Sequence, residues 1–141
     1  MAWLLSSSPS ASCLGDELPR PMNPCLALVL LAIMVQSEAG GEPIHGKLAV
    51  AYVAVNRAES SGLPLETVLR QPRQFALNPR ATIDIASWIA AEAAMTHQYP
   101  DPSKGADHFY NPLVRPWPEW YDERYITVRI GRHAFLNLGG F

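Results

Sequence analysis

Residues 25–35 read CLALVLLAIMV, an unbroken apolar run that ends three residues before Glu38. Pro24 precedes the run, and a proline suits the first turn of a helix. Gly40-Gly41 follows it, and glycines commonly end a helix. Because the run is apolar all round, it predicts a helix that is buried on every side, begins at Pro24 and ends near Gly40.

The length of this run limits the other interpretations. Eleven apolar residues are fewer than the ~20 that cross a bilayer core, so no spanning helix and no stable membrane insertion are predicted. A signal-peptide core stays open, because Arg20 lies upstream and Ser37-Glu38-Ala39 offers small residues at both cleavage-determining positions. The acidic pair Asp16-Glu17 disagrees with a basic n-region, and we favour the core helix.

Composition bounds the rest of the chain. Its 141 residues are 48% hydrophobic and 17% charged, with a formal charge of -2, which suits one domain with a substantial core. This balance excludes a broad basic surface for nucleic acid. The four histidines are scattered and the two cysteines are Cys13 and Cys25, so we predict no metal site, no disulfide framework and no cofactor. Residues 1–23 are Ser- and Pro-rich and predict a disordered leader or an over-extended start, with the domain at 24–141.

The pattern after the apolar run predicts three more helices and then a small sheet. A second helix begins at Pro43, with Glu42 as its N-cap, and extends to Arg57. A short helix covers 64–70 and an Ala-rich helix covers 81–97. The expected inner face of that last helix is Ile85, Trp88, Ile89, Ala93 and His97.

The last third of the chain changes its period. Residues 108–111 predict a short strand, and 125–130 alternate between apolar and polar. Gly131-Arg132 then forms a two-residue turn into 133–136, because glycine supplies the positive φ that such a turn requires. Helices first and a small antiparallel sheet last predict an α+β fold that is mainly helical.

Glu38 is the residue with the clearest chemical signal. It ends the most apolar helix, where burial and the negative end of the helix dipole both raise a carboxyl pKa. A raised pKa is the condition for a general acid near neutral pH. A solvated glutamate at a helix end fits the same pattern, so both interpretations stay open here. No second carboxylate is an obvious partner for Glu38.

Several motifs in order then resemble the SleB-type cell-wall hydrolase family, the catalytic module of spore-cortex-lytic enzymes and related phage and bacterial peptidoglycan hydrolases. The motifs are Glu38-Ala39-Gly40-Gly41-Glu42-Pro43, Gly46-Lys47-Leu48-Ala49-Val50-Ala51, Val55-Asn56-Arg57, Gln74-Phe75, Asp101-Pro102, Phe109-Tyr110-Asn111-Pro112, Trp117 and Ile130-Gly131-Arg132-His133-Ala134-Phe135.

The resemblance implies a lysozyme-like, transglycosylase-like fold and cleavage of the bond between N-acetylmuramic acid and N-acetylglucosamine. Glu38 matches the family's acid/base. A lytic transglycosylase can use one carboxyl group, which fits the lack of a second carboxylate. A hydrolytic muramidase or glucosaminidase and a non-catalytic peptidoglycan-binding protein are the alternatives. The chain departs from the family at Gln36, where an aromatic residue is common, and at Ala76, where serine is common.

The expected partner is the glycan strand of peptidoglycan, bound by a monomer on the periplasmic or extracellular side. A bacterial remodelling enzyme and a phage endolysin with holin-dependent release are both open. Aromatic side chains suit the flat faces of sugar rings, and amides suit N-acetyl groups. The candidate substrate-binding residues are Glu42, Gln74, Phe75, Tyr110, Asn111, Trp117 and His133, with Trp120 as a further stacking candidate.

Overall fold

The computed structural model describes residues 23–139, and the predicted leader lies outside them apart from Asn23. Four helices come first along the chain and three short strands come last, which confirms the α+β prediction. The elements are α1 Pro24–Ala39, α2 Ile44–Ser61, α3 Leu65–Arg70, α4 Ile85–Met95, β1 His108–Tyr110, β2 Ile126–Ile130 and β3 His133–Leu136, with a 3-10 turn at Glu123–Tyr125.

Helix α1 begins where the sequence predicts but is less buried than expected. The Asn23 side chain caps it by accepting hydrogen bonds from the backbone N–H groups of Cys25 and Leu26, at 3.1 and 3.3 Å. Cys25 and Val29 are exposed, whereas the second half of the helix, from Leu31, is mostly buried. The helix is therefore only partly buried although residues 25–35 are apolar throughout. The prediction of burial on every side is wrong. None of the helices within residues 23–139 is long and apolar enough to cross a membrane.

Helix α2 is the central helix, since it packs against α1, α3, α4 and β1. It continues past the predicted end at Arg57 to Ser61 and ends at Gly62, whose φ of 69° is left-handed. The residue at its N-cap position is Pro43, without a side-chain capping bond. The prediction that Glu42 caps this helix is wrong, because its carboxylate instead reaches the strand hairpin.

Helix α4 is shorter than predicted and presents another face to the core. It begins after Asp84, whose carboxylate accepts a 2.7 Å hydrogen bond from the Ser87 backbone N–H. Ile85 is 77% exposed and Ile89 46% exposed, so the predicted inner face is wrong at both positions. Small side chains face inward because they let α4 approach α1 and α2 closely; the buried residues are Ser87, Ala90, Ala91, Ala93 and Ala94.

The three strands form one antiparallel sheet in the order β1-β3-β2. Gly131, with a φ of 56°, makes the predicted turn, and Ile130 pairs with His133 across it. Phe135 on the central strand is fully buried in the main core, where Val128 and Ile130 also pack. The sheet thereby lies against the helices, and its edge strand β1 contacts α2.

Candidate active site

A cleft of about 530 Å³ separates the end of α1 from the edge of the sheet. Helix α1 contributes Glu38, helix α2 contributes Arg57, and the loop between α3 and α4 contributes Arg73 and Gln74. The side of the cleft formed by β1, the loop after it and β3 consists of His108, Phe109, Tyr110, Asn111, Trp120 and His133.

Glu38 is half-buried in this cleft, and the loop after α3 is bonded to it. The Ala76 backbone N–H donates a 2.7 Å hydrogen bond to Glu38 Oε1, and the Asn78 N–H donates one to the Ser37 hydroxyl at 3.0 Å. Burial raises the pKa of Glu38, while the bond from Ala76 and the charge of Arg57 oppose that rise without cancelling it. The last turn of α1 therefore presents a carboxyl group that holds its proton more tightly than an exposed glutamate does.

Arg57 is a buried cation beside the cleft. Its Nε donates to the Asp107 carbonyl oxygen and its Nη1 to Gln74 Oε1 at 3.1 Å. Its guanidinium lies over the Phe75 ring, 4.5 Å from the centroid. Burial lowers the pKa of Arg57 to about 10, and the charges of Asp107 and Glu38 oppose that change. Arg57 therefore stays charged at neutral pH and favours ionised Glu38.

Replacing this cation should change the titration of Glu38. In Arg57→Gln, we expect the Glu38 pKa to rise further, because burial remains and the favourable charge is gone. A carbon-detected NMR titration of the Glu38 carboxyl group measures this directly. Arg70→Gln, at an exposed position on α3, is the control and should leave that pKa unchanged. A Glu38 pKa that falls in Arg57→Gln would contradict the assignment.

The end of α1 depends on a buried lysine that sequence reasoning did not identify. Lys47 is 2% exposed, and its Nζ donates to the carbonyl oxygens of Ala39 and Gly40 at 2.8 and 2.9 Å. Gly40 itself is right-handed, with a φ of -55°. A Cβ there would lie 2.7 Å from the Gln36 carbonyl oxygen. Glycine is therefore required because the backbone of Gln36 comes so close, and not because φ is positive.

Gln36, one of the departures from the family pattern, has a structural role. Its Oε1 accepts hydrogen bonds from the Asp84 backbone N–H at 3.0 Å and from the Ser87 hydroxyl at 2.8 Å. These bonds hold the beginning of α4 against α1. At the other departure, Ala76, the backbone N–H makes the bond to Glu38, and that bond does not depend on the side chain.

His108 and Asp107 form a hydrogen-bonded pair at the beginning of β1. Asp107 Oδ1 lies 2.9 Å from His108 Nδ1, and the backbone N–H groups of Leu138 and Gly139 also donate to this carboxylate. Burial raises the Asp107 pKa, but these partners outweigh it and hold the pKa below its usual value. Burial lowers the pKa of His108, whose ring packs against Trp120 with centroids 4.7 Å apart. The Asp107 carboxylate therefore has a structural role, since its hydrogen bonds are made within the fold.

The candidate residues occupy three kinds of position. Those that line the cleft with Glu38 are Gln74, Tyr110, Asn111, His133 and Trp120. Phe75 lies beneath Arg57 and packs on the main core, and Trp117 lies in a separate cluster, its indole N–H donating to the Pro112 carbonyl. Glu42 does not line the cleft itself, and its Oε1 lies 3.7 Å from Nδ1 of the cleft residue His133.

Four cleft residues were missed as site candidates: Arg57, Arg73, His108 and Phe109. The available signal for Arg57 was a charged residue within the Val55-Asn56-Arg57 motif of an otherwise apolar helix. Arg73 and His108 carry no comparable signal. Within residues 23–139, no group of three or more His, Cys, Asp or Glu side chains is arranged to hold a metal ion.

A family model described as Cell Wall Hydrolase matches residues 41–136. The chain belongs to this family. The predicted resemblance is confirmed, although the matched range begins three residues after Glu38. Among curated members, a spore cortex-lytic enzyme of Halalkalibacterium halodurans is 34% identical over 112 residues, which are 77% of this chain and 34% of that protein. The spore cortex-lytic enzyme of Bacillus subtilis is also 34% identical over 112 residues, 77% of this chain and 36% of its own length.

The chain thus spans about a third of the length of these spore cortex-lytic enzymes. Solved structures match over more of the fold. The catalytic domain of the Bacillus cereus SleB protein superposes with a TM-score of 0.71 at 27% identity, covering 87% of this chain and 98% of that one. The catalytic domain of the germination-specific lytic transglycosylase SleB from Bacillus anthracis gives 0.70 at 25% identity, covering 88% and 100%. The predicted lysozyme-like fold is confirmed.

Proposed function

We propose that this chain cleaves the glycan strands of peptidoglycan between N-acetylmuramic acid and N-acetylglucosamine, with Glu38 as the general acid and base. The observation that carries the proposal is a half-buried carboxyl group of raised pKa in the wall of a cleft lined by aromatic and amide side chains. Membership of the cell wall hydrolase family supports the substrate class. Such a substrate lies outside the cytoplasm, on the periplasmic or extracellular side.

A lytic transglycosylase is preferred to a hydrolase because Glu38 has no carboxylate partner. Glycosidases that use water ordinarily place two carboxyl groups on either side of the bond. Among the described residues, Glu38 is the only carboxylate that lines the cleft. The nearby Asp107 carboxylate is occupied by His108 and by the backbone of Leu138 and Gly139. One carboxyl group therefore has to serve both proton transfers.

The hydrogen bond from Ala76 divides the roles of the two Glu38 oxygens. Oε1 accepts this bond, so the proton is carried by Oε2. Protonated Glu38 donates to the glycosidic oxygen, and the bond to the anomeric carbon breaks. The carboxylate left behind is favoured by the charge of Arg57 and then takes the proton of the muramic C6 hydroxyl. That oxygen closes on the anomeric carbon to give a 1,6-anhydro end, which returns Glu38 to its protonated form and consumes no water.

Gln74, Asn111, Tyr110 and Trp120 supply binding surface around Glu38. Amide groups of Gln74 and Asn111 suit the acetamido groups of the sugars, and the rings of Tyr110 and Trp120 suit the apolar faces of pyranoses. Gln74 is itself oriented by its bond from Arg57, so the same cation serves the acid and an adjacent binding group.

The products of digestion test the choice between transglycosylase and hydrolase. We expect mass spectrometry of digested, purified sacculi to show muropeptides with 1,6-anhydro-muramic ends. The same digestion in oxygen-18 water should leave these ends unlabelled. Reducing ends that carry the label, without anhydro products, would contradict the transglycosylase and indicate a hydrolytic muramidase or glucosaminidase instead.

A further inference from the structure

The Glu42 side chain passes between two glycines to reach the hairpin turn. A Cβ at Gly46 would lie 3.3 Å from Glu42 Cβ, and one at Gly131 would lie only 2.0 Å from Glu42 Oε2. The Arg132 backbone N–H donates a 3.1 Å hydrogen bond to Glu42 Oε1. The side chain is only 8% exposed. The segment between α1 and α2 is therefore joined to the turn between β2 and β3 through one carboxylate.

His133 follows this turn directly and lies between Glu42 and the cleft. Its Nδ1 is buried without a hydrogen-bond partner among the described residues, and the nearest carboxylate oxygen is Glu42 Oε1 at 3.7 Å. The ring lines the cleft and makes an edge-on contact with Phe109, with centroids 5.3 Å apart. Nδ1 thus faces the carboxylate, which leaves Nε2 as the ring nitrogen available to the cleft.

The electrostatics of this contact select one form of the ring. A bare Nδ1 would direct its lone pair at a buried carboxylate and be repelled, whereas an Nδ1–H group is attracted. Burial and the charge of Arg132 hold the pKa of His133 below its usual value, against the opposing charge of Glu42, and the ring is neutral near neutral pH. Hydrogen bonds in an unliganded site are often long and shorten when the ligand binds.

We propose that Glu42 is a positioning residue that fixes His133 as the neutral Nδ1–H tautomer, so that Nε2 accepts a hydrogen bond from an N–H or O–H group of an N-acetylated sugar. Glu42 itself does not touch the substrate. The identity of the ligand rests on the function proposed above, whereas the tautomer rests on the geometry of Glu42 and His133 alone.

Nitrogen NMR of the His133 ring tests the tautomer in the full chain without ligand. We expect the chemical shifts of a protonated Nδ1 and a bare Nε2. Glu42→Gln keeps an acceptor oxygen and should keep this tautomer, while Glu42→Leu removes the acceptor and should shift the population toward Nε2–H. Nε2–H as the main form of the unsubstituted protein would overturn the proposal, whether or not the leucine variant folds.

Binding tests the consequence for the cleft. The probe is the N-acetylglucosamine tetramer, titrated calorimetrically into Glu38→Gln protein, in which the proposed cleavage is blocked. His133→Ala and Glu42→Leu should each weaken binding about tenfold, the equivalent of one hydrogen bond. Because both act through one contact, the double variant should lose no more than His133→Ala alone. Glu123→Leu, at an exposed carboxylate before β2, is the matched control and should bind normally.

The outcomes separate this proposal from the proposed function. Glu42-dependent binding in the Glu38→Gln background, together with no release of anhydro-muropeptides by the protein that keeps Glu38, supports the positioning role and contradicts the transglycosylase. Anhydro products together with multiplicative losses in the double variant support the transglycosylase and overturn the positioning role. Lower thermal stability in Glu42→Leu without a change in tautomer or affinity also overturns it, since that result describes a purely structural contact.

Discussion

Glu38→Gln should lower the rate of peptidoglycan cleavage by about 10²–10⁴-fold, the usual contribution of a general acid and base. Glutamine is close to the same size and keeps an oxygen for the Ala76 N–H, so the substitution removes the transferable proton and little else. The loss should lie in kcat, with substrate affinity nearly unchanged, because proton transfer occurs in the transition state. Release of soluble muropeptides from purified sacculi is the measurement.

Glu92→Gln is the matched control, since Glu92 lies on the exposed face of α4 outside the cleft. It should digest sacculi at the unsubstituted rate. Retention of most of the activity by Glu38→Gln would assign the acid to another residue. Loss of activity in both variants would point to damaged folding and not to chemistry.

Although it lowers activity, Glu38→Gln should raise the stability of the protein at neutral pH. Burial raises the Glu38 pKa above its ordinary value of 4.5, so the folded state holds the proton more tightly than the unfolded chain. Stability is then lost as the pH rises from the unfolded pKa through the folded one. Glutamine cannot ionise and avoids this loss. Glu38→Gln should therefore melt higher than the unsubstituted protein at neutral pH, with the difference vanishing below about pH 4.

Local patterns predicted the parts of the fold that depend on neighbours in the chain. The beginning of α1, the turn at Gly131 and the pairing of β2 with β3 all follow from short-range rules. The inner face of α4 does not, because hydrophobicity favours Ile85 and Ile89 whereas the fit against α1 and α2 requires alanine and serine. Packing distance between helices overrides the hydrophobic pattern here.

In the site, too, the sequence predicted the features that depend on nearby residues and not those that depend on residues far away along the chain. Glu38 could be identified because its helix and its chemistry lie in one segment. Arg57 depends on Gln74 and Asp107, 17 and 50 residues away, and no local pattern contains that information. Glu42 was assigned to the nearest helix because N-capping is a local rule, but its carboxylate is bonded to Arg132, 90 residues later.

Lys47 connects the fold to the site most directly. A helix leaves its last carbonyl groups without intrahelical partners, and α1 has no basic residue in its last turn. Lys47 from α2 supplies the missing donors to Ala39 and Gly40, the two residues that follow Glu38. It also lies 3.6 Å from the Asp84 carboxylate at the beginning of α4. One buried cation therefore holds three helices together at the position where the acid is presented.

Lys47→Met should consequently destabilise the protein by about 3 kcal/mol, since hydrogen bonds from charged donors contribute about 1.5–3 kcal/mol each. For a domain of this size that corresponds to a melting temperature lower by roughly 10 °C. Methionine fills a similar volume, so the loss reports the missing donors and not a cavity. Lys104→Met, at the chain's other and exposed lysine, should change the melting temperature little.

At a temperature where Lys47→Met stays folded, its cleavage rate should still be reduced, because the last turn of α1 no longer holds Glu38 in one position. A variant with the expected loss of stability but unchanged activity would show that Lys47 stabilises the fold and does not position Glu38 for catalysis.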